Sequence, residues 1–254
     1  MRPLILITND DGVHAKGIHV LANIAREFGD VVVMAPEKNS SGKSHSLSTE
    51  HPLRMAQIFH EEGFDVYYCN GTPVDCIKLA SEHCCPRRVD LVLSGINHGS
   101  NASVNVLYSG TMGAVIEASN NGYDAIGFSL LDHALDANFD GCIPCIRSLV
   151  GQTLEKGLPE HVSLNVNIPN LKPEEIKGML VCKEAQAKWS DSFEKRIDPL
   201  GRPYFWLTGN FICDRTVEGT DEWALANGYI SIVPTFTDFT CEQAIEPLKK
   251  KFNL

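Results

Sequence analysis

Asp10 and Asp11 stand side by side in Asn9-Asp10-Asp11-Gly12, directly after the apolar run Leu4 to Thr8. Adjacent carboxylates repel, and the repulsion raises one pKa unless a cation offsets it. Three more polar clusters punctuate the chain: "APEKNSSGKSHS" from Ala35, "LSGINHGSN" from Leu93 and "YSGTMGAVIEA" from Tyr108. Each alone reads as ordinary turn chemistry, because Asn, Asp, Gly and Ser are turn formers. Taken jointly, two carboxylates, the amide oxygen of Asn97 and a hydroxyl from Ser40 or Ser41 form a set of hard oxygen donors. Such donors select Mg²⁺ or Mn²⁺ over zinc or copper.

The cluster at Ser109-Gly110-Thr111-Met112-Gly113 precedes an apolar-periodic stretch, so its free N–H groups and the helix dipole would face an anion. Gly110 and Gly113 permit close backbone approach, and the two hydroxyls add donors; a plain N-cap at Ser109 or Thr111 is the simpler account. A cation site beside an anion cradle points to phosphoryl chemistry. The motifs for other phosphate or acyl chemistries are missing: no G-x-x-x-x-G-K-[ST], no G-x-G-x-x-G and no G-x-S-x-G. His14, His45 and His98 lie in or near these loops and read as bystanders rather than bases.

The loops need elements to position them. Apolar runs at Leu4–Thr8, Val31–Ala35, Val66–Cys69, Leu91–Ser94 and Ile126–Leu130 read as strands buried on both faces. Helical patterns at Ile18–Phe28, Pro73–His83 and Gly113–Asn120 lie between most of them. Thr72-Pro73-Val74-Asp75 supplies a capping residue, a proline at the first helical position and an early acid. The pattern predicts an α/β fold with a doubly wound, mostly parallel sheet whose ligands bind at the carboxyl ends of the strands.

After about residue 160 the rhythm changes. Val162–Ile168 alternates as a strand with one polar face does. The turn Asp198-Pro199-Leu200-Gly201-Arg202-Pro203 feeds the aromatic run Tyr204-Phe205-Trp206, which predicts a β-hairpin. Tyr229–Val233 reads as a late strand and Glu242–Lys251 as a terminal helix. A single domain over 1–254 is expected, with a core over about 1–168 and a hairpin and oligomerisation extension over about 170–254.

Composition narrows the partners. The 254 residues carry 22 Lys and Arg against 32 Asp and Glu, a net charge of −10, with no long basic run. A duplex nucleic-acid partner is therefore not expected. No stretch approaches the ~20 apolar residues of a membrane helix, and no signal-peptide pattern opens the chain, so no membrane partner and a cytoplasmic location are expected. Nine cysteines scattered through apolar runs read as small buried hydrophobes, Cys142-Ile143-Pro144-Cys145 included, since no second C-x-x-C completes a zinc site.

"ITNDDGVHAKGI", "APEKNSSGKS", "NGTPVDCIKLA", "SGINHGSN" and "YSGTMGAVIEAS" occur in that order and resemble the successive signatures of the SurE family of metal-dependent 5′-nucleotidases. The block "GTDEWALANGYISIVPTFTDFT" is similar to that family's C-terminal part. The resemblance implies a Rossmann-like fold with a hairpin extension and a C-terminal arm used in homodimers or homotetramers. It implies metal ligands at Asp10, Asp11, Ser41 and Asn97, one Mg²⁺ or Mn²⁺ per subunit. It also implies a phosphate loop at Ser109, Gly110 and Thr111, with Asn9 and Asn101 lining the same pocket. Ser41 is favoured over Ser40 because it precedes Gly42. Ser40 itself stands where many members carry arginine.

The expected reaction is hydrolysis of nucleoside 5′-monophosphates to nucleoside and phosphate, with 3′-monophosphates and short polyphosphate as further candidates. Asp10, Asp11 and Asn97 are its expected catalytic groups. A covalent aspartyl-phosphate route lacks the Asp-x-Asp pattern it needs after the first strand, and a receiver domain lacks an acid at the end of Leu91–Ser94. A binding module for nucleotides or phosphate without turnover is the alternative of another class.

Overall fold

The computed structural model describes residues 2–254. In chain order the elements are β1 (Leu4–Thr8), α1 (Lys16–Ala25), β2 (Asp30–Pro36), β3 (Met55–Glu61), β4 (Phe64–Cys69), α2 (Pro73–His83), β5 (Leu91–His98) and α3 (Gly110–Asn120). They continue with β6 (Asp124–Leu130), α4 (Ile143–Lys156), β7 (Ser163–Ile168), β8 (Met179–Val181), β9 (Ala187–Ile197), β10 (Pro203–Cys213), α5 (Asp221–Ala226), β11 (Ile230–Thr235) and α6 (Glu242–Phe252). A 3₁₀ turn over Ser103–Tyr108 leads into α3.

Nine strands form one sheet in the order β3-β4-β2-β1-β5-β6-β7-β11-β8. The six from β4 to β7 run parallel, while β3 and β11 pair antiparallel with β4 and β7. β1 explains why the sheet is covered on both sides. Its Ile5 and Ile7 point into one core, with Ile18 and Leu21 of α1 and Ile146 and Val150 of α4. Its Leu4 and Leu6 point into the other, with Ile77 of α2 and Met112 and Val115 of α3. A strand with no solvent face carries no polar alternation, hence the unbroken apolar run.

The predicted capping of α2 is present. The Asp75 N–H donates to Thr72 Oγ1 and the Thr72 N–H returns to Asp75 Oδ2 at 2.8 Å. Cys142 and Cys145 are buried free thiols, and burial pushes both above the ordinary thiol range, Cys145 to about 12. No helix among the described residues is long and apolar enough to cross a membrane.

Two features differ from the sequence-based expectation. β8 and β11 belong to the main sheet, so the body does not end near residue 168 but is completed by strands from the last third. The hairpin is also far longer than its turn indicated: β9 and β10 pair over eleven residues each, from Ala187 opposite Cys213 to Ile197 opposite Pro203. Most of its side chains are exposed, so cross-strand pairing rather than core burial holds it.

The chain leaves β1 toward β2 on one side and later returns through β5 on the other, which makes the β1/β5 boundary the switch point of the sheet. Crevices for ligands form at such points, beyond the carboxyl ends of the strands. Asp10 and Asp11 follow β1, and Asn97 is the last residue but one of β5.

Candidate active site

Gly12 makes the sharp turn after β1 possible, with φ of +104°, a conformation that suits glycine. Asn9 braces this turn from both sides: its amide donates to the Gly12 carbonyl at 3.0 Å, and its Oδ1 accepts the Gly12 N–H at 3.1 Å. Asn9 is fully buried and lies outside the cavity wall. Its place in the fold is therefore to shape the turn, rather than to line the pocket as the resemblance implied.

The turn presents Asp10, only 3% exposed, to a cavity of about 550 Å³. Asn97, Asn101, Ser109 and Ser41 reach the same cavity. Burial pushes the Asp10 carboxyl up to about 6; the hydroxyl of Thr111 opposes the shift and the charge of Asp11 adds to it. Thr111 donates to Asp10 Oδ1 at 2.5 Å, and the backbone N–H groups of Asp10 and Thr111 also favour the ionised carboxyl. Burial also raises Asp11, against the pull of the His98 N–H, which donates to its Oδ2 at 3.2 Å. That hydrogen bond brings Asp11 to the end of β5, where Asn97 stands.

Asn97 spends its amide hydrogens on the carbonyls of His98 and Gly99, leaving Oδ1 unpaired among the described residues. Of the two competing serines, Ser40 is buried and turned inward. Its N–H donates to the Asp10 carbonyl at 2.7 Å, and its hydroxyl faces the Lys38 carbonyl at 3.4 Å. Ser41 is exposed and lines the cavity.

These residues supply the donor types a hard divalent cation takes: the carboxylate of Asp10, the unpaired amide oxygen of Asn97 and the hydroxyl of Ser41 line one cavity, and the carboxylate of Asp11 sits outside that lining, held by the His98 N–H. Among the described residues no three His, Cys, Asp or Glu side chains converge, so amide and hydroxyl oxygens must complete such a set.

The start of α3 closes the other side. Ser109 Oγ caps the helix by accepting the Met112 N–H at 3.0 Å, and the hydroxyl keeps its proton for a ligand in the cavity. A Cβ on Gly110 would meet Asp10 Cβ at 2.8 Å, so glycine is what lets the helix start reach the β1 turn. Thr111 is fully buried and serves Asp10 instead of facing the cavity.

Sequence reasoning missed the residues that hold the Asn101 loop. The polar face of β7 is buried rather than solvated. Asn167 Oδ1 accepts the Asn101 N–H, the Asn165 amide donates to the Asn101 carbonyl, and Ser129 Oγ accepts from the Asn101 amide, each at 2.8 Å. Buried Asp221 then accepts the N–H groups of Ser103 and Ala185 at 2.7 and 2.9 Å. The only available signal was the repeated Asn in Ser-Leu-Asn-Val-Asn-Ile. Trp189, Phe211 and Arg215 also line the cavity, and no motif marked them; Glu222 lines it too and lies in the C-terminal block that begins Gly219-Thr220-Asp221.

The family model described as Survival protein SurE matches residues 5–191. A protein of Flavobacterium psychrophilum named 5′-nucleotidase SurE is 48% identical over 248 residues, covering 97% of this chain and 96% of its own length. One of the same name from Bacteroides fragilis is 46% identical over 249 residues, covering 98% and 97%. The crystal structure of the SurE protein from Aquifex aeolicus superposes with a TM-score of 0.84 at 37% identity, covering 98% of this chain and all of that one.

Proposed function

We infer, from the premise that this chain belongs to the SurE family, that it is a 5′-nucleotidase, a metal-dependent phosphomonoesterase acting on nucleoside monophosphates. The observation that carries the chemical reading is the convergence of buried Asp10, the amide oxygen of Asn97 and the capped start of α3 on one cavity. We assign one Mg²⁺ or Mn²⁺ per subunit to Asp10, Asp11, Asn97 and Ser41. When bound, such a cation supplies Lewis-acid stabilisation of phosphoryl oxygens and lowers the pKa of water.

The protein's own groups then have separable tasks. Asp10, Asp11 and Asn97 are held in place before substrate arrives, by Thr111, by the His98 N–H and by the Gly99 carbonyl respectively. The Ser109 hydroxyl and the unbonded N–H groups of the first turn of α3 point their dipoles at the phosphoryl oxygens, where charge builds during transfer. Asn101 reaches the same wall on a loop fixed by β7. Water attacks phosphorus in line with the departing ribose 5′-oxygen, and the products are nucleoside and inorganic phosphate. 3′-Monophosphates and short polyphosphate are further candidate substrates in this reading, since the cradle grips the phosphoryl group.

Two surface features support assembly into a homodimer or homotetramer. Phe193, Trp206 and Leu207 on the hairpin are between 58% and 67% exposed, and α6 has no buried residue although it carries Ile245, Leu248 and Phe252. Apolar surface of this kind is normally covered by a partner. A cytoplasmic location is part of the same proposal.

The test is to chelate the protein, then measure phosphate release from nucleoside monophosphates with Mg²⁺, Mn²⁺ or no cation. Release is expected only with cation. Equal release without it overturns the metal assignment, and tight nucleotide binding with no release under any cation leaves a binding module instead.

A further inference from the structure

The cavity has a second end that the phosphoryl chemistry does not use. Trp189, on the body-proximal part of β9, lines it while remaining 41% exposed. Its indole is fixed twice. Nε1–H donates to Asn105 Oδ1 at 2.9 Å, and the ring packs on Phe211 of β10 with centroids 5.4 Å apart. Asn105 belongs to the 3₁₀ turn that runs directly into Ser109. Four residues of such a turn span ~8 Å along its axis, so the indole is tied to the element that carries Ser109 while lining the same cavity. Tyr108, 55% exposed, lines the cavity beside Ser109.

We propose that Trp189, clamped by Asn105 and Phe211 at the root of the hairpin, is the seat on which the nucleobase of the substrate stacks. This rests on the nucleotidase reading and adds the part of the substrate that the phosphate cradle ignores. An aromatic face pinned in position binds a planar base at little cost in rotamer entropy. The indole N–H is committed to Asn105, and Arg215 Nε donates to one oxygen of the Glu222 carboxylate at 2.9 Å. What Trp189 itself offers the base is therefore its ring face, and stacking on such a face tolerates every base. The seat selects nucleotides over other phosphate esters without choosing strongly among them.

The test compares AMP with ribose 5-phosphate, which keeps the sugar and phosphate and lacks the base. The readout is the ratio of their kcat/KM values, in wild type, Trp189→Ala and Trp189→Phe, with Mg²⁺ or Mn²⁺ present. Loss of one stacking platform is expected to lower the ratio between about 5-fold and 100-fold in Trp189→Ala, mainly through KM for AMP. Trp189→Phe, which keeps an aromatic face, is expected to recover most of it. A ratio that neither variant moves, or an equal fall on both substrates, overturns the seat while leaving the nucleotidase reading intact. Wild-type protein that releases phosphate from neither compound overturns that reading and the seat with it.

Discussion

Thr111 and Asp10 lie 101 positions apart, yet the Thr111 hydroxyl donates to Asp10 Oδ1 at 2.5 Å with both side chains buried. This contact joins the first turn of α3 to the turn after β1, two elements that meet at the candidate site. Thr111→Val keeps the branched shape and removes the donor, so a buried carboxylate oxygen loses its partner. A stability loss of about 1–3 kcal/mol is expected, together with slower phosphate release. Urea unfolding and a phosphate assay check both; an unchanged midpoint and rate would count against the role of the contact.

Asp10→Asn keeps size and removes charge. If Asp10 holds the cation, kcat/KM falls by about two orders of magnitude, roughly 3 kcal/mol of lost stabilisation. The chelated variant is nevertheless expected to be at least as stable as chelated wild type, since a buried carboxylate raised to about 6 is costly to ionise at neutral pH. Wild-type turnover by a folded variant would sink the assignment.

Gly110→Ala tests close approach rather than charge. The added Cβ meets Asp10 Cβ at 2.8 Å, so α3 or the β1 turn must move. Overpacking of this kind costs about 1–3 kcal/mol, and activity should fall further than stability if the displaced parts hold substrate as proposed. Parallel thermal melts and rate measurements separate the two; equal, small effects would show that the approach is slack.

Glu117 gives a pH dependence outside the site. Burial pushes its carboxyl up, but hydrogen bonds from Lys78, His45 and Asn121 outweigh burial and leave it below the ordinary glutamate range. A depressed pKa in the folded state adds stability above the unfolded value, and that stability disappears as pH falls through the folded one. Glu117→Gln should therefore cost roughly 1–2 kcal/mol at pH 7, discounted for the half-exposed Lys78 and His45. The gap from wild type should close in acid. Urea unfolding at several pH values measures it, and a gap that persists at low pH would mean packing rather than charge.

How much of this was readable in advance depended on burial. β1 and α2 have the boundaries that their patterns predicted, because an apolar run and a Thr-Pro-x-Asp cap are local signals. β3 (Met55–Glu61) was missed since it is a mostly exposed edge strand with no core face to mark it. Only the turn and the start of β10 betrayed the hairpin, whose other residues carry no burial pattern. α5, six residues long, is too short to display a helical period.

The candidate site divides the same way. Asp10, Asp11, Ser41, Asn97 and Ser109 sit in turns beside buried strands, where polar clusters stand out. Thr111 and Asn9 have the right types for a pocket wall, but tertiary geometry turns them onto Asp10 and Gly12. Asn165, Asn167, Asp221 and Trp189 come from distant segments, and nothing local ties an asparagine on β7 to a loop 64 residues earlier.

Asp221 sets the order in which the molecule can be finished. It fastens Ser103, which is translated 118 positions ahead of it, and Ala185, 36 positions ahead. A nascent chain can pair β1 with β2 and β5 early, while the loop bearing Asn101 waits for its clasp. Ribosome-bound chains arrested before α5 emerges are thus expected to hold the parallel strands from β4 to β7 but neither the β11–β8 edge nor the finished pocket, and a newly made copy completes its cavity only when its last third arrives.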